Sequence, residues 1–394
     1  LDGTYFLCSR TVGDGERMAI FCIDTFGNEV LLHEDDLGCY DPMPTGPRRP
    51  IPVIPSRRNY ANETGSLYMV NAYAGTHMEG VKPGVAKSLR VIESPEKRYW
   101  TSASWGGQGV HRPAMNWHNF ENKRILGTVP ISDDGSAYFQ LPADRFVFFQ
   151  ILDSDGMMIQ SMRSGTMVQS GEATGCVGCH EHRLLAPPPT VSSVPKALMG
   201  PPARLTGWRG EPHMFSFQQD VQPVLDRHCV SCHDFGKPAG EKLLLCGDRE
   251  ITFCASYVDL WRTKSISCIG GGPATVQPAY SWGSHASKLV KVLRKGHRNV
   301  KLPPEDFERL ATWIDLNAPY YPTYASAYPL NLTGCCPLTT AQLGHLSKIT
   351  KTDFKQLASH SKKQRVQVSF DRPELSPCLA GLPVDSEQDA EALG

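Results

Sequence analysis

Val221-Gln-Pro-Val-Leu-Asp-Arg-His-Cys-Val-Ser-Cys-His233 decides how the C-terminal half of this chain is read. Val221, Val224 and Leu225 have partly helical spacing, and the run ends in Cys-x-x-Cys-His. A second such motif, Cys176-Val-Gly-Cys179-His180, lies upstream. In CxxCH the two thiols form thioethers with haem vinyl groups, and the adjacent His lies under the iron as an axial ligand. The reading therefore predicts two covalently bound haem c groups. Cys176, Cys179 and His180 would hold one, and Cys229, Cys232 and His233 the other.

The competing metal is zinc, because two CxxC pairs can supply four thiolates. The pairs start 53 residues apart (176 to 229), against roughly 15–20 in compact zinc ribbons. His also follows both pairs. With 13 His in 394 residues, that double coincidence has a chance of about one in a thousand. Zinc is therefore not the expected occupant. A thioredoxin-like redox pair is disfavoured because no βαβ pattern surrounds either motif.

Working outward from His233, residues 285–295 read as a helix with Leu289, Val292 and Leu293 on one face and Gly296 as its stop. The clearest helix is 304–316. Pro304 suits a first turn, and Phe307, Leu310, Ala311 and Ile314 recur at i, i+3, i+4 and i+7. A short helix before CxxCH and another far after it is the layout of a small cytochrome c domain. Its iron needs a ligand on the far face, and no Met follows Cys232. His297, in the loop after Gly296, is the expected ligand, with His285, at a helix start, as the alternative. His228 directly precedes Cys229 and cannot easily reach the opposite face, so it reads as structural.

No such helices follow His180. His182 is too close in sequence to take the far face; His77, His111, His118, His213 and Met199 are candidates that no pattern singles out. An unpaired far face would leave a five-coordinate iron able to bind a small molecule. Trp100, Trp105, His111 and Trp117 would suit the lining of such a pocket, although core packing is the commoner use of aromatics.

Upstream, strands are expected at 67–74, 88–93, 125–130, 137–141, 146–152 and 157–162. Turns at Ser132-Asp-Asp-Gly135 and Asp153-Ser-Asp-Gly156 separate some of them, which suggests an antiparallel sandwich. Residues 4–9, 18–24 and 29–33 read as strands around Thr25-Phe-Gly-Asn28, a hairpin too small to bury its own apolar face. Residues 42–55 hold six prolines and read as an extended linker; Pro187-Pro-Pro189 opens a second, ending near Pro202. Beyond about Tyr324 the chain is polar and weakly patterned, and its last twenty residues are expected to be disordered. The fold class is multidomain α+β. Residues 1–60 form a hairpin and linker, 61–200 a β-sandwich-like domain with the first CxxCH, 201–325 an α-helical cytochrome c domain, and 326–394 an extension.

Lys+Arg and Asp+Glu are both 40, so the formal charge is zero and no basic stretch suggests nucleic-acid binding. No apolar run approaches the roughly 18 residues of a membrane span. The chain begins with Leu, so a preceding segment is expected to be missing. Of 13 cysteines, nine lie outside the motifs: Cys8, Cys22, Cys39, Cys246, Cys254, Cys268, Cys335, Cys336 and Cys378. An odd number cannot all pair within one chain, and sequence assigns no pairs.

Several stretches together resemble the middle domain of the hydrazine synthase alpha subunit family. They are Asn119-Phe-Glu-Asn-Lys-Arg-Ile-Leu-Gly127, Asp134-Gly-Ser-Ala-Tyr-Phe139, Leu152-Asp153, Met162-Arg-Ser164 and Gly175-Cys-Val-Gly-Cys-His-Glu181. Cys229–His233, Gly283-Ser-His285, Lys295-Gly-His297 and Thr312-Trp-Ile-Asp-Leu-Asn-Ala-Pro-Tyr-Tyr321 resemble that family's C-terminal cytochrome c domain. The resemblance covers most of residues 1–345. It implies an exported multihaem protein whose residues 1–40 are the last blade of a β-propeller. It also implies a reactive middle-domain haem and a bis-His, electron-carrying C-terminal haem. In the synthase, a Tyr just beyond the first CxxCH serves the iron and the motif His is diverted to zinc. Here Glu181-His-Arg-Leu-Leu-Ala186 contains no Tyr, which points to a non-synthase relative with a His-ligated first haem.

The leading expectation is a dihaem electron-transfer protein in an exported oxidoreductase complex, with redox partner proteins or sister subunits. An enzyme acting on small nitrogen compounds at the first haem is the second reading, and a haem-bearing interaction module the third.

Overall fold

The computed structural model describes residues 3–13, 17–47, 52–56, 58–96, 122–180, 193–269, 277–322, 336–354, 357, 365–380 and 382. It is an α+β structure in two compact units, Leu1–Ser56 and Arg57–Gly394.

The first unit is an antiparallel sheet of β1 (Tyr5–Thr11), β2 (Met18–Asp24) and β3 (Glu29–His33), in the order β1-β2-β3. Asp24 makes the β2–β3 turn by accepting from the Phe26 and Asn28 amides at 2.9 Å each, while Gly27 takes φ +90°. Ala19 and Phe21 are buried, whereas β3 is exposed along its whole length.

The second unit holds two sheets and a helical layer. One sheet runs in the order β10-β4-β7, from β4 (Thr64–Met69), β7 (Ala137–Pro142) and β10 (Ala173–Cys176). The other runs β6-β5-β8-β9, from β5 (Ser88–Glu93), β6 (Arg124–Pro130), β8 (Val147–Leu152) and β9 (Met158–Ser161). Leu67, Phe139, Leu89, Val91, Phe149 and Ile151 share the core between them, with Phe139 and Phe149 edge-to-face at 5.6 Å. The sandwich is thus formed, but it is not wholly antiparallel as expected: β10 pairs parallel to β4, with Cys176 opposite Met69. The first strand also stops at Met69 rather than residue 74, because the Asn71 side chain accepts from the Tyr73 amide at 2.9 Å and closes a turn.

Strands β5 and β8 are buried on both faces, and period-2 alternation sends their residues to two cores. Leu89, Val91, Phe149 and Ile151 face the first sheet's core, while Ile92 and Phe148 join the helical core. The helices are α1 (Gln222–His228), α2 (Ala255–Arg262), α3 (Lys288–Lys295), α4 (Pro304–Asp315) and α5 (Thr340–Thr350). A π-turn, Phe217–Val221, leads into α1. Phe217, Tyr257, Trp313 and Tyr320 form the aromatic centre, with Phe217 and Trp313 at 4.9 Å. The segment 203–206 ties the layers together: Ala203 bonds into β7 and Thr206 into β6.

Two buried polar groups bind sheet to helix. Arg90 donates to Gln150 Oε1 at 3.1 Å, the Gly156 carbonyl at 3.2 Å and Thr312 Oγ1 at 2.9 Å. Asp315 accepts from the Ser284 amide at 2.6 Å and the Met158 amide at 3.0 Å. A Cβ on Gly283 would stand 2.7 Å from Asp315 Oδ1, so the Gly283-Ser-His285 turn and α4 need glycine at this point. Burial pushes the Asp315 carboxyl up to about 6, against the pull of Arg90 and these hydrogen bonds.

Helix α3 starts at Lys288 rather than 285, because residues 283–287 form the turn held by Asp315. Helix α2 was not anticipated. Its residues from Ala255 to Trp261 are all buried, so no polar face marks a helical period. The described residues after Tyr324 form more structure than composition suggests. A capping box of Thr339 and Gln342 starts α5, and Ile251, Cys336, Leu346, Phe354, Val368 and Cys378 form a separate core. Residues 375–380, expected within a disordered tail, lie in 3-10 turns with Cys378 buried.

Candidate functional sites

The second CxxCH forms as α1 unwinds. The Cys229 amide donates to the Leu225 carbonyl at 2.8 Å, and the His233 amide reaches back to the Cys229 carbonyl at 2.9 Å. His233 Nδ1 lies 2.9 Å from the Leu243 carbonyl. A carbonyl only accepts, so Nδ1 carries the proton and Nε2 keeps a lone pair for a metal. The loop bearing Leu243 is itself fixed, since the Leu244 amide donates to Asp259 Oδ2 at 2.8 Å. Burial, followed by Asp226 and Cys232, pushes the Cys229 thiol up to about 11.

His297 follows α3, where Gly296 turns the chain at φ +95°. Its ring centroid lies 6.0 Å from that of His233, at an interplanar angle of 37°. Two imidazoles sharing one metal at about 2 Å each, with about 1.1 Å from nitrogen to ring centre, have centroids about 6 Å apart. Val230, Leu243, Leu289, Leu293, Leu302 and Phe307 pack partly buried against the helical core. A cleft of about 960 Å³ lies beside the loop after α3; Leu293, Val300, Leu302 and Phe307 share its wall with the charged Arg209, Arg294, Lys301, Glu305 and Glu308. Two thiols and two neighbouring imidazoles are a donor set that fits a haem c.

The other histidines of this region have different partners. His285 Nε2 sits 2.8 Å from Asp153 Oδ2, and its ring meets Tyr280 edge-on at 4.9 Å. Burial disfavours the Asp153 carboxylate, but hydrogen bonds from His285 and the Met157 and Asp155 amides outweigh it and hold it below its usual value. His228 Nε2 lies 2.8 Å from Asp306 Oδ2, and His213 Nε2 lies 3.1 Å from Asp220 Oδ1. Met199 is 74% exposed at the end of a 3-10 turn.

The first CxxCH starts on β10. The pairing with β4 continues past the strand end: the Val70, Asn71 and Cys179 amides donate to the Cys176, Val177 and Ala74 carbonyls at 3.0, 3.0 and 2.8 Å. The approach is close enough to demand glycine twice. A Cβ on Gly178 would stand 2.4 Å from the Ala74 carbonyl oxygen, and one on Gly75 2.6 Å from that of Cys179. This stitching carries the Thr76–Met78 turn to the motif and sets the His77 ring centroid 5.1 Å from that of His180. Burial, and then His180, lower His77 below the ordinary imidazole value. His111, His118, Trp100, Trp105, Trp117 and the stretch 181–186 lie outside the described residues. Sequence separation hid the proximity of His77 to His180, which the β4–β10 register brings about.

The four motif sulfurs do not gather into one zinc-type cluster. Among the described residues, the one group of three candidate donors is Asp234, Cys246 and Asp248. Arg372 occupies that position as a cation, bonding both carboxylates at 2.6–3.0 Å.

Residues 84–181 match the family model for the hydrazine synthase alpha subunit middle domain. The chain is related to the hydrazine synthase alpha subunit. The matched range runs from before β5 through β10 and contains Cys176, Cys179 and His180. Among solved structures the chain is similar to Kuenenia stuttgartiensis hydrazine synthase at 17% identity and a TM-score of 0.48. That similarity covers 67% of this chain and 44% of the other, so the chain spans less than half the length of the solved relative. No curated protein matches it. No helix among the described residues of this hydrazine synthase alpha relative is long and apolar enough to cross a membrane.

Proposed function

We propose that this chain is a dihaem c-type electron-transfer protein, exported and working beside sister subunits or other redox proteins. The observation that carries the reading is the His233–His297 pair, facing at 6.0 Å directly after Cys229 and Cys232. A haem held by such residues would supply one-electron ferric–ferrous chemistry. Cys229 and Cys232 would anchor the group, His233 and His297 would hold its iron, and the Leu243 carbonyl orients His233 through Nδ1. Cys176, Cys179 and His180 play the corresponding parts at the first site. A second reading, chemistry on small nitrogen compounds at the first site, is favoured by the match of residues 84–181 to the hydrazine synthase alpha middle domain.

The test is production with a c-type cytochrome maturation system, followed by peptide mass spectrometry. Two haems per chain, on the 176–179 and 229–232 peptides and resistant to acid-acetone, are expected. Unmodified thiols at 229–232, or zinc at either pair, would overturn the reading.

A further inference from the structure

We infer that the exposed face of α3, with the His297 loop that follows it, docks an acidic one-electron redox protein and is where electrons pass to or from the second site. The inference rests on the reading of Cys229–His233 and His297 as a haem site, and it names the surface and the charge of the partner that serves it.

Three observations carry it. The first is where the charge lies. Lys288, Lys291, Arg294, Lys295, Arg298 and Lys301 fall within 14 residues that contain no Asp or Glu. The chain as a whole balances 40 Lys+Arg against 40 Asp+Glu, so these six leave 34 cations against 40 acids elsewhere. A zero formal charge hides this concentration. All six residues are exposed, and His297 stands inside the run. At about 100° per residue, Lys288, Lys291, Arg294 and Lys295 share an arc of about 120° on α3. Leu289, Val290 and Leu293 turn away from that arc, and Val290 is buried in the helical core.

The second observation is that the fold does not neutralise this face. Among the described residues, Arg294 alone of the six meets an acid, Asp155 Oδ2 at 2.9 Å. Glu305 and Glu308, in the wall of the adjoining cleft, are already paired with Arg209.

The third is that the cations do not serve their own helix. A helix N-terminus is positive, yet Lys288 is the first residue of α3 and no acid lies in its first turn. Ser287 makes no side-chain cap there. Lys291 lies at i+3 from Lys288 and at i−4 from Lys295, spacings at which like charges repel. Arg294 and Lys295 alone suit the helix dipole. Helix formation therefore does not account for the set, whereas attraction of a negative surface does. The partner would be held over His297, and in each productive encounter the donor is oxidised by one electron as the acceptor is reduced by one.

The experiment uses the holoprotein, with reduced flavodoxin, an acidic one-electron protein donor, as the probe in stopped flow. The second-order rate constant for reduction should fall about tenfold or more from about 20 mM to about 300 mM salt. Lys288→Glu with Lys291→Glu should slow reduction about tenfold at the lower salt and leave it unchanged at the higher. These substitutions put acids at the positive end of α3, so urea unfolding should show no loss of stability, which separates docking from a structural role. Lys82→Glu with Lys348→Glu makes the same change in net charge at exposed sites elsewhere and should alter the rate less than about twofold. With haem on the 229–232 peptide, a rate independent of salt, or slowed equally by both pairs, would overturn this inference and leave the haem reading standing. Absence of haem from that peptide would refute both. Co-sedimentation with phosphatidylglycerol vesicles, abolished by the Lys288 and Lys291 substitutions and joined to a salt-independent flavodoxin rate, would give the face to a membrane instead.

Discussion

Replacing Arg372 with Met isolates what the C-terminal segment does for the second site. Arg372 donates from Nε and Nη2 to Asp248 at 2.8 and 2.7 Å, and from Nη1 and Nη2 to Asp234 at 3.0 and 2.6 Å. Asp234 directly follows His233. The Asp234 and Asp248 oxygens lie within 4.8 Å of each other. Met fills similar volume but leaves two carboxylates facing each other without a cation. At 4.8 Å and an effective dielectric near 20, their repulsion is about 3.5 kcal/mol. Arg372 is 34% exposed, so solvent screening trims this to about 2–3 kcal/mol. Arg372 is the main cause of the low Asp234 pKa. A depressed carboxylate contributes stability above its unfolded value that is lost as pH falls through the folded one. The deficit should therefore be full at pH 7 and shrink only below the ordinary carboxylate value of 3.8, as pH falls through the depressed Asp234 value. Urea unfolding of wild type and Arg372→Met at pH 7 and at about pH 2.5 measures it. A loss under about 1 kcal/mol, or one equal at both pH values, would refute the reasoning.

Replacing His297 with Ala should turn the second haem high spin, whereas His285→Ala should leave it low spin because His285 is bonded to Asp153; optical and resonance spectra decide between them. Gly178→Ala keeps the CxxCH pattern but sets a Cβ 2.4 Å from the Ala74 carbonyl oxygen. It should cost about 1–3 kcal/mol of stability, read in urea unfolding; an unchanged midpoint would refute the close approach. Burial raises Glu250 to about 7 and Asp315 to about 6. The folded state therefore binds more protons between their unfolded and folded values, and these two groups favour folding increasingly as pH drops from about 7 to 4.5. Glu250→Gln should flatten that slope in denaturant titrations; an unchanged slope would assign it to other groups.

The sequence alone determined the two CxxCH motifs, α4, most strand positions and the exclusion of a Met ligand after Cys232. Each is a local statement. Periodicity needs a one-sided element, and CxxCH chemistry needs adjacent residues. Where burial is two-sided the local signal fails, which is why α2 left no period to read. The core formed by α5 and 365–380 was hidden for a related reason: its apolar residues are few, scattered and complete only when brought together. Sequence left His285 and His297 as alternatives; the fold sets His285 against Asp153, 132 positions away, and His297 beside His233. His77 had no mark in sequence, because its place beside His180 comes from the parallel register of β4 and β10. A register is a pairing of distant segments, and only the folded chain, by burying Leu67 and Met69 in the sandwich core, selects which residues stand opposite Cys176.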